Sequence, residues 1–422
     1  MMQMQRIGAI CLIPLLVSPK RLAGSEKEQL SLQQAIDQAV HINPEVSVAE
    51  GRIANSMGQK TQAGLKPNPH LVIQQENARA WELGNPAQSG LPGFVFFRDT
   101  DTYIYGAQTI EGGRKRERRM EYATAGINRT RSERDMVLQQ LKLRVAMAYW
   151  AAVSAEKTRA LYEAELHTLD RIVQDTENLV NEGAAPGADL LRIQIERERI
   201  AASVANARLE ANRARISLMR EIGRSDFPEL EFTDTIESPV SVTEKPIDEV
   251  FAQRTEIQTA KARIAQAEAN LRLQLANAKV DPEVQLGYKR TYGLDTLYAG
   301  LNMQLPIRNR NQGNVASAEA DLHTARSSLA LIEQQIKAEV EVAQRNYETN
   351  RQMVAATLKP LVAKSDEALR IALGAYQAGG FDLLRYLDAL RVQIEGQIML
   401  YQGLGQEHMS AVMLQQAQGD LR

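Results

Sequence analysis

The ionisable side chains that stand out in this sequence gather at two glycine-marked turns. Asp189 follows Gly183 by six residues, Tyr376 precedes Gly379 by three, and Arg385 and Asp388 follow Gly379 by six and nine. Carboxylates and a phenol in short turns can trade hydrogen bonds or line a narrow passage with charge. They are not by themselves a bond-making constellation. A plainer reading puts Asp189 at a helix start, where it would act as a cap. The tetrad Asp189-Leu190-Leu191-Arg192 returns as Asp382-Leu383-Leu384-Arg385, three residues away from the pairing by glycines, so two registers of the turns stand open.

Other reactive patterns are absent from the sequence. His41, His70, His167, His323 and His408 are dispersed, with no two at metal-ligand spacing. No nucleophile elbow, phosphate-binding glycine loop or close carboxylate pair rises above the background, so no enzyme, metal site or cofactor is expected. A net charge of -2 gives no reason to expect nucleic acid. The single cysteine is Cys11 in the N-terminal leader, which leaves the rest of the chain without thiols. The basic run from Arg114 to Arg119 reads as a solvated first helical turn rather than an anion-steering patch.

The elements around these turns are unusual. From Gly113 to Val180 there is no proline, and Leu141, Ala148, Ala155, Tyr162 and Leu169 recur at intervals of seven beside Leu138, Val145 and Ala152. Val315, Leu322, Leu329, Ile336 and Ala343 repeat the pattern; after a four-residue slip Tyr347, Val354, Leu361, Ala368 and Ala375 continue it. Such seams predict coiled-coil helices, with a stutter at the slip. Pro360 should bend the second long helix without ending it. Helices of about 65 residues would be roughly 100 Å long, too long for a globule. They suit either an extended scaffold or the wall of a tube.

The chain also reads as a duplication. Pro44-Glu45-Val46 with Arg52-Ile53-Ala54 returns as Thr255-Glu256-Ile257 with Arg263-Ile264-Ala265, and Lys66-Pro67-Asn68-Pro69 returns as Lys279-Val280-Asp281-Pro282. The expected units are a signal peptide over 1–24, a first repeat over 25–222 and a second over 247–422. An acidic, Ser/Thr/Pro-containing segment over 223–246 joins them. Arg6, the apolar run from Ile7 to Val17, and Lys20-Arg21 support export. No other apolar stretch approaches a membrane-spanning helix, so any crossing must be made by strands. Alternating residues predict strand pairs at about 70–110 and 283–305, with a long loop from Trp81 to Phe97 inside the first. Tyr103, Tyr105, Tyr288, Tyr292 and Tyr298 are candidates for aromatic belts at the membrane surfaces. Four strands cannot close a barrel, so several chains would have to pool theirs. Two soluble hairpins capping a helical bundle are the plainer alternative.

Ser31-Leu32, Ala35-Ile36, Ala39-Val40 and Asn43-Pro44, together with the duplication and the turn positions, resemble the TolC-type outer-membrane factors of Gram-negative efflux and secretion systems. Gln108-Thr109-Ile110-Glu111-Gly112-Gly113-Arg114-Lys115-Arg116 resembles the strand-to-helix junction of the cobalt–zinc–cadmium branch. The resemblance implies a mainly α fold with a small β part. It also implies a homotrimer with a shared 12-stranded outer-membrane barrel in lipid and a helical tunnel through the periplasm. Such a channel is a passive duct whose partners are a periplasmic adaptor and an inner-membrane RND-type transporter. The resemblance further implies that Tyr376 bonds Asp189 at the closed tip and that Asp388 stands in a constricting ring. The family's second ring aspartate is Arg385 here and its tip arginine is Phe381, a departure in the charge of the constriction. Drug or protein cargo, or a soluble periplasmic scaffold, are the alternative readings to metal export.

Overall fold

Ser31 opens the first helix through a reciprocal cap: its hydroxyl accepts from the Gln34 N–H, and the Gln34 side chain accepts from the Ser31 N–H. Helix α1 (Leu32–Ile42) then buries Ala35, Ile36 and Ala39, three of the signature positions noted above. Asn43 joins α1 to α2 (Pro44–Ala63). Its side-chain Oδ1 accepts from the Glu45 N–H, and its side-chain Nδ2 donates to the Glu221 carbonyl at 2.8 Å. The signature is therefore a joint that fixes the first helices against the end of a later one. The computed structural model describes residues 27–78, 100–291 and 293–421. The expected leader, the Trp81 to Phe97 loop and Tyr292 lie outside the described residues.

After α2 come strands β2 (His70–Glu76) and β3 (Asp101–Thr109), then α3 (Lys115–Asn181) and α4 (Gly187–Ile222). The series recurs as α5 (Ile247–Gln253), α6 (Thr255–Asn277), β5 (Glu283–Thr291), β6 (Leu294–Asn302), α7 (Gln312–Met353), α8 (Lys359–Gln377) and α9 (Leu383–Ala417). The 67 residues of α3 make a rod of about 100 Å. No helix among the described residues is long and apolar enough to cross a membrane.

Two short strands were not anticipated. β1 (Glu28–Leu30) pairs in parallel with β4 (Leu230–Phe232), which lies in the segment over 223–246. Asp234 just beyond it accepts from the Tyr149 hydroxyl at 2.6 Å and from the Leu32 N–H at 2.7 Å. Tyr149 is fully buried, and burial with the neighbouring Asp234 carboxylate pushes its hydroxyl well above the usual phenol range. This strap closes the main core, where α1, α3, α4 and α9 meet.

Strands β2-β3-β5-β6 form one antiparallel sheet in that order, so the two halves meet at β3 and β5. The observed strand pairs run over 70–109 and 283–302, close to the expected spans, and β6 stops at Asn302. One face carries Leu71, Ile73, Ile104, Leu286, Leu297 and Leu301, all exposed, with Leu297 at 81%. The other carries Gln74, Tyr103, Tyr105, Gln285, Lys289 and Tyr298. Tyr103, Tyr105 and Tyr298 therefore face away from the apolar side and cluster with one another. The belt expectation fails for these three because the pleat alternates every residue and they fall on the polar parity. Tyr288 is on the apolar face.

The second long helix is continuous through Pro360, as expected, by way of a π turn at Val354–Leu358 between α7 and α8. Proline has no N–H to give and clashes with the carbonyl four residues back; a wider turn just before it relieves both. That turn uses an additional residue, so the seam moves. Leu358, Ser365 and Ala372 are buried, while Ala368 is exposed and Leu361 and Ala375 only partly covered. The expected continuation through Leu361, Ala368 and Ala375 is thus displaced. Gly403 of α9 makes room for the bulge: a Cβ there would lie 2.4 Å from Leu358 Cδ1.

Candidate functional site

The helical end remote from the sheet holds the two turns. In the first, Gly183 takes φ +72°, its N–H bonds the Val180 carbonyl, and the Ala184 N–H reaches the Leu179 carbonyl at 2.8 Å. In the second, Gly379 takes φ +75°, its N–H bonds the Tyr376 carbonyl, and the Gly380 N–H reaches the Ala375 carbonyl at 2.8 Å. Both are the same left-handed helix stop. Each following helix also begins four residues after its glycine, at Gly187 and at Leu383. The backbone thus obeys the glycine register, and the repeated Asp-Leu-Leu-Arg tetrads sit differently. Asp382 is an N-cap that accepts from the Arg385 N–H at 3.2 Å, whereas Asp189 lies inside the first turn of α4 and makes no side-chain cap. The reading of Asp189 as a capping residue is therefore not met.

Tyr376 and Asp189 come together. The Tyr376 hydroxyl is pushed above its usual range first by burial and then by the Asp189 carboxylate. Among the described residues no hydrogen bond joins them. Tyr376 instead stacks on Tyr386 of α9, with ring centroids 5.5 Å apart and planes 11° from parallel. Arg385 and Asp388 are exposed. Arg385 lies over the Phe381 ring at 5.1 Å, a cation–π contact between the two residues that depart from the family pattern.

One residue of this region was missed by sequence reasoning. Glu165 of α3 is 8% exposed, and its Oε1 has no hydrogen-bond partner among the described residues. Burial raises its carboxyl to about 7. Tyr386 is raised by burial and then by the Glu165 charge, so the two are neighbours. Around them are Leu169, Ile193, Leu387 and Leu390. The signal was present: Glu165 comes three residues after Tyr162 and four before Leu169, which places it beside the seam.

At the opposite end, the basic run is not the solvated turn expected of it. Lys115 is buried, and its ammonium donates to Asp281 Oδ2 at 2.6 Å and to the Lys279 carbonyl at 2.8 Å. The Gly112 N–H bonds Asp281 Oδ1 at 2.8 Å, and Arg119 forks onto Glu111. The left-handed residues Gly113 and Arg114 kink the chain between β3 and α3, and Lys115 and Arg119 are satisfied within that strand-to-helix junction. Arg114, with its side chain 79% exposed, and the exposed Arg116 behave as predicted. No group of three metal-ligating side chains occurs among the described residues.

No protein-family model matches the chain. The cobalt-zinc-cadmium resistance protein CzcC of Cupriavidus metallidurans is 22% identical over 409 residues, 96% of this chain and 92% of that protein. A membrane protein from Pseudomonas aeruginosa superposes with a TM-score of 0.76 at 20% identity over 92% of both chains. CusC, a protein described through its folding and transmembrane channel formation, superposes with a TM-score of 0.74 at 17% identity over 92% of both chains. The outer membrane protein VceC of Vibrio cholerae gives 0.71 at 17% identity, over 92% of this chain and 96% of its own. The fold is that of the TolC-type outer-membrane factors. Within the outer-membrane-factor fold, the sheet and the paired turns stand at opposite ends of the long helices, because α3 starts beside the sheet and stops at the first turn.

Proposed function

We propose that this chain is the outer-membrane channel of a tripartite efflux system, a passive exit duct with heavy-metal cations as its cargo. The observation that carries this reading is the four-stranded sheet. One of its faces is exposed and apolar, the other polar and aromatic, and its strands continue into rods of about 100 Å. A soluble scaffold would have no use for such a face, whereas lipid would cover it. The likeness to a cobalt-zinc-cadmium resistance protein supports metal cations over drugs or exported proteins.

The assembly is a homotrimer that pools twelve strands. A second apolar seam on α4 supports it: Ile195, Ala202, Leu209 and Ile216 recur every seven residues on the exposed side. A coiled-coil seam left open on one chain calls for a neighbour. Residues 1–24 act as the export signal, and the repeats over 25–222 and 247–422 are joined by the equatorial segment over 223–246. The paired turns form the periplasmic tip, which engages an adaptor and, through it, an inner-membrane RND-type transporter. Tyr376, Asp189 and the turn glycines Gly183 and Gly379 hold the closed tip, while Asp388 and Arg385 set its charge.

The test joins localisation to conductance and phenotype. The protein should fractionate with the outer membrane, conduct in planar bilayers, and its deletion should sensitise cells to zinc, cobalt, cadmium or nickel. A soluble protein with no conductance would overturn the channel reading. Sensitivity to dyes alone would overturn the metal cargo.

A further inference from the structure

We infer that the junction between β6 and α7 is a binding site for an anionic phospholipid. Its phosphate sits among Lys279, Arg308 and Arg310, and its acyl chains lie along Met303, Leu305 and Ile307. The inference rests on the outer-membrane channel proposed above, because this end of the sheet must then stand at the edge of a lipid layer. The observation that carries it is a difference between the two halves of the chain.

Arg114 and Asn311 are both left-handed residues immediately before a long helix, at φ 58° and 61°. Counting from them, Glu111 is replaced by Arg308, Arg116 by Gly313 and Arg119 by Ala316. In the first half, Arg116 donates to the Gly64 carbonyl, while Arg119 donates to the Leu65 carbonyl and forks onto Glu111. Two long arms thus cross the junction, and a cation meets a carboxylate inside the fold. In the second half both arms are missing, and the carboxylate has become a cation. A cavity of about 850 Å³ opens there, against about 550 Å³ beside Arg119 and Glu111.

The charge of this cavity is unbalanced. Lys115 reaches it but is paired with Asp281 at 2.6 Å, which leaves Lys279, Arg308 and Arg310 against Glu283 alone. These three cations are exposed, and among the described residues their side chains make no hydrogen bond or ion pair. Arginine forks suit the oxygens of a phosphate, so the cluster favours that anion. The apolar neighbours decide which phosphate. Leu297 and Leu301 of the sheet's apolar face are followed by Met303, Leu305 and Ile307, all exposed, with Ile307 at 71%. A free ion would leave them in water, whereas a phospholipid covers them with the molecule that meets the cations. The step from Ile307 to Arg308 repeats the step from acyl chain to phosphate across a leaflet.

Native mass spectrometry of the full chain, purified from membranes in detergent, tests the site with dioleoyl phosphatidylglycerol and dioleoyl phosphatidylcholine as competing probes. The anionic lipid should be retained several-fold over the neutral one. Arg308→Gln with Arg310→Gln should remove most of that preference. Arg308→Glu with Ala316→Arg, which restores the pairing seen between Glu111 and Arg119, should remove it as well. Equal retention of the two lipids, or a preference that survives both pairs of substitutions, would overturn the site; outer-membrane location and conductance would still uphold the channel. Loss of the preference in inorganic phosphate, but not in chloride of equal ionic strength, would overturn the lipid in favour of a free anion. Recovery of the chain as a soluble protein would overturn the channel reading itself.

Discussion

Glu165 is enclosed by leucine, isoleucine and tyrosine side chains, and no cation acts on it, so its charged form is the costly one. With its carboxyl raised to about 7 against an ordinary 4.5, the closed helices hold a proton that separated helices would release. Association of α3 with α9 is thus fully supported below about pH 4.5 and weakens as pH rises through 7, by up to about 1.4 kcal/mol per pH unit in each chain. The urea midpoint should fall between pH 5.5 and pH 8, and Glu165→Gln should flatten that dependence; a midpoint equally steep in the variant would assign it elsewhere. Tyr376 has a stacked ring and lies near Asp189 without a hydrogen bond to it, so in the proposed tip its ring is expected to matter more than its hydroxyl. Tyr376→Ala should therefore raise single-channel conductance more than Tyr376→Phe with Asp189→Ala, since phenylalanine keeps the stack. Asp388→Ala, at an exposed position, should change cation selectivity with little effect on opening, as read from the reversal potential in a salt gradient.

The joint between the π turn and α9 is a matter of elements. Gly403→Ala would press a methyl group into Leu358 and should destabilise the fold by about 1–3 kcal/mol in chemical denaturation. Leu358→Ala should cost less in the Gly403→Ala chain than in the wild type, a coupling that a helix-propensity effect of the alanine would not explain. This joint also shows where the sequence was legible. Heptad spacing located α3 and α7, and alternation located the strands of the sheet, because each signal repeats over many residues. The displacement of the α8 seam was hidden, because one residue of extra turn width leaves no mark in composition beyond Pro360 itself. The basic run misled for a related reason: Lys115 meets Asp281, a residue 166 positions away, only through the pairing of the two halves at the strand-to-helix junction. At the turns, glycine spacing was the sounder guide, since left-handed φ is a backbone demand and a repeated tetrad is not.

Viewed as a molecule, the described residues leave strand edges at β2 and β6 and the outward α4 seam uncovered. Ile195→Lys with Leu209→Lys should lower the trimer fraction in sedimentation without altering the helical content of the chain, because both side chains are exposed in a single copy. The π turn acquires a meaning at this scale. Below it, α8 runs 19 residues, an arm of about 28 Å, to the turn at Gly379. A turn with an additional residue per revolution is the pliant place in an otherwise rigid rod. Swinging that arm by about 10° would carry its end about 5 Å sideways on the same helical rise. The long rod of the first half has no such hinge, so of the two helical hairpins it is the second that can behave as a lever while the first serves as its post.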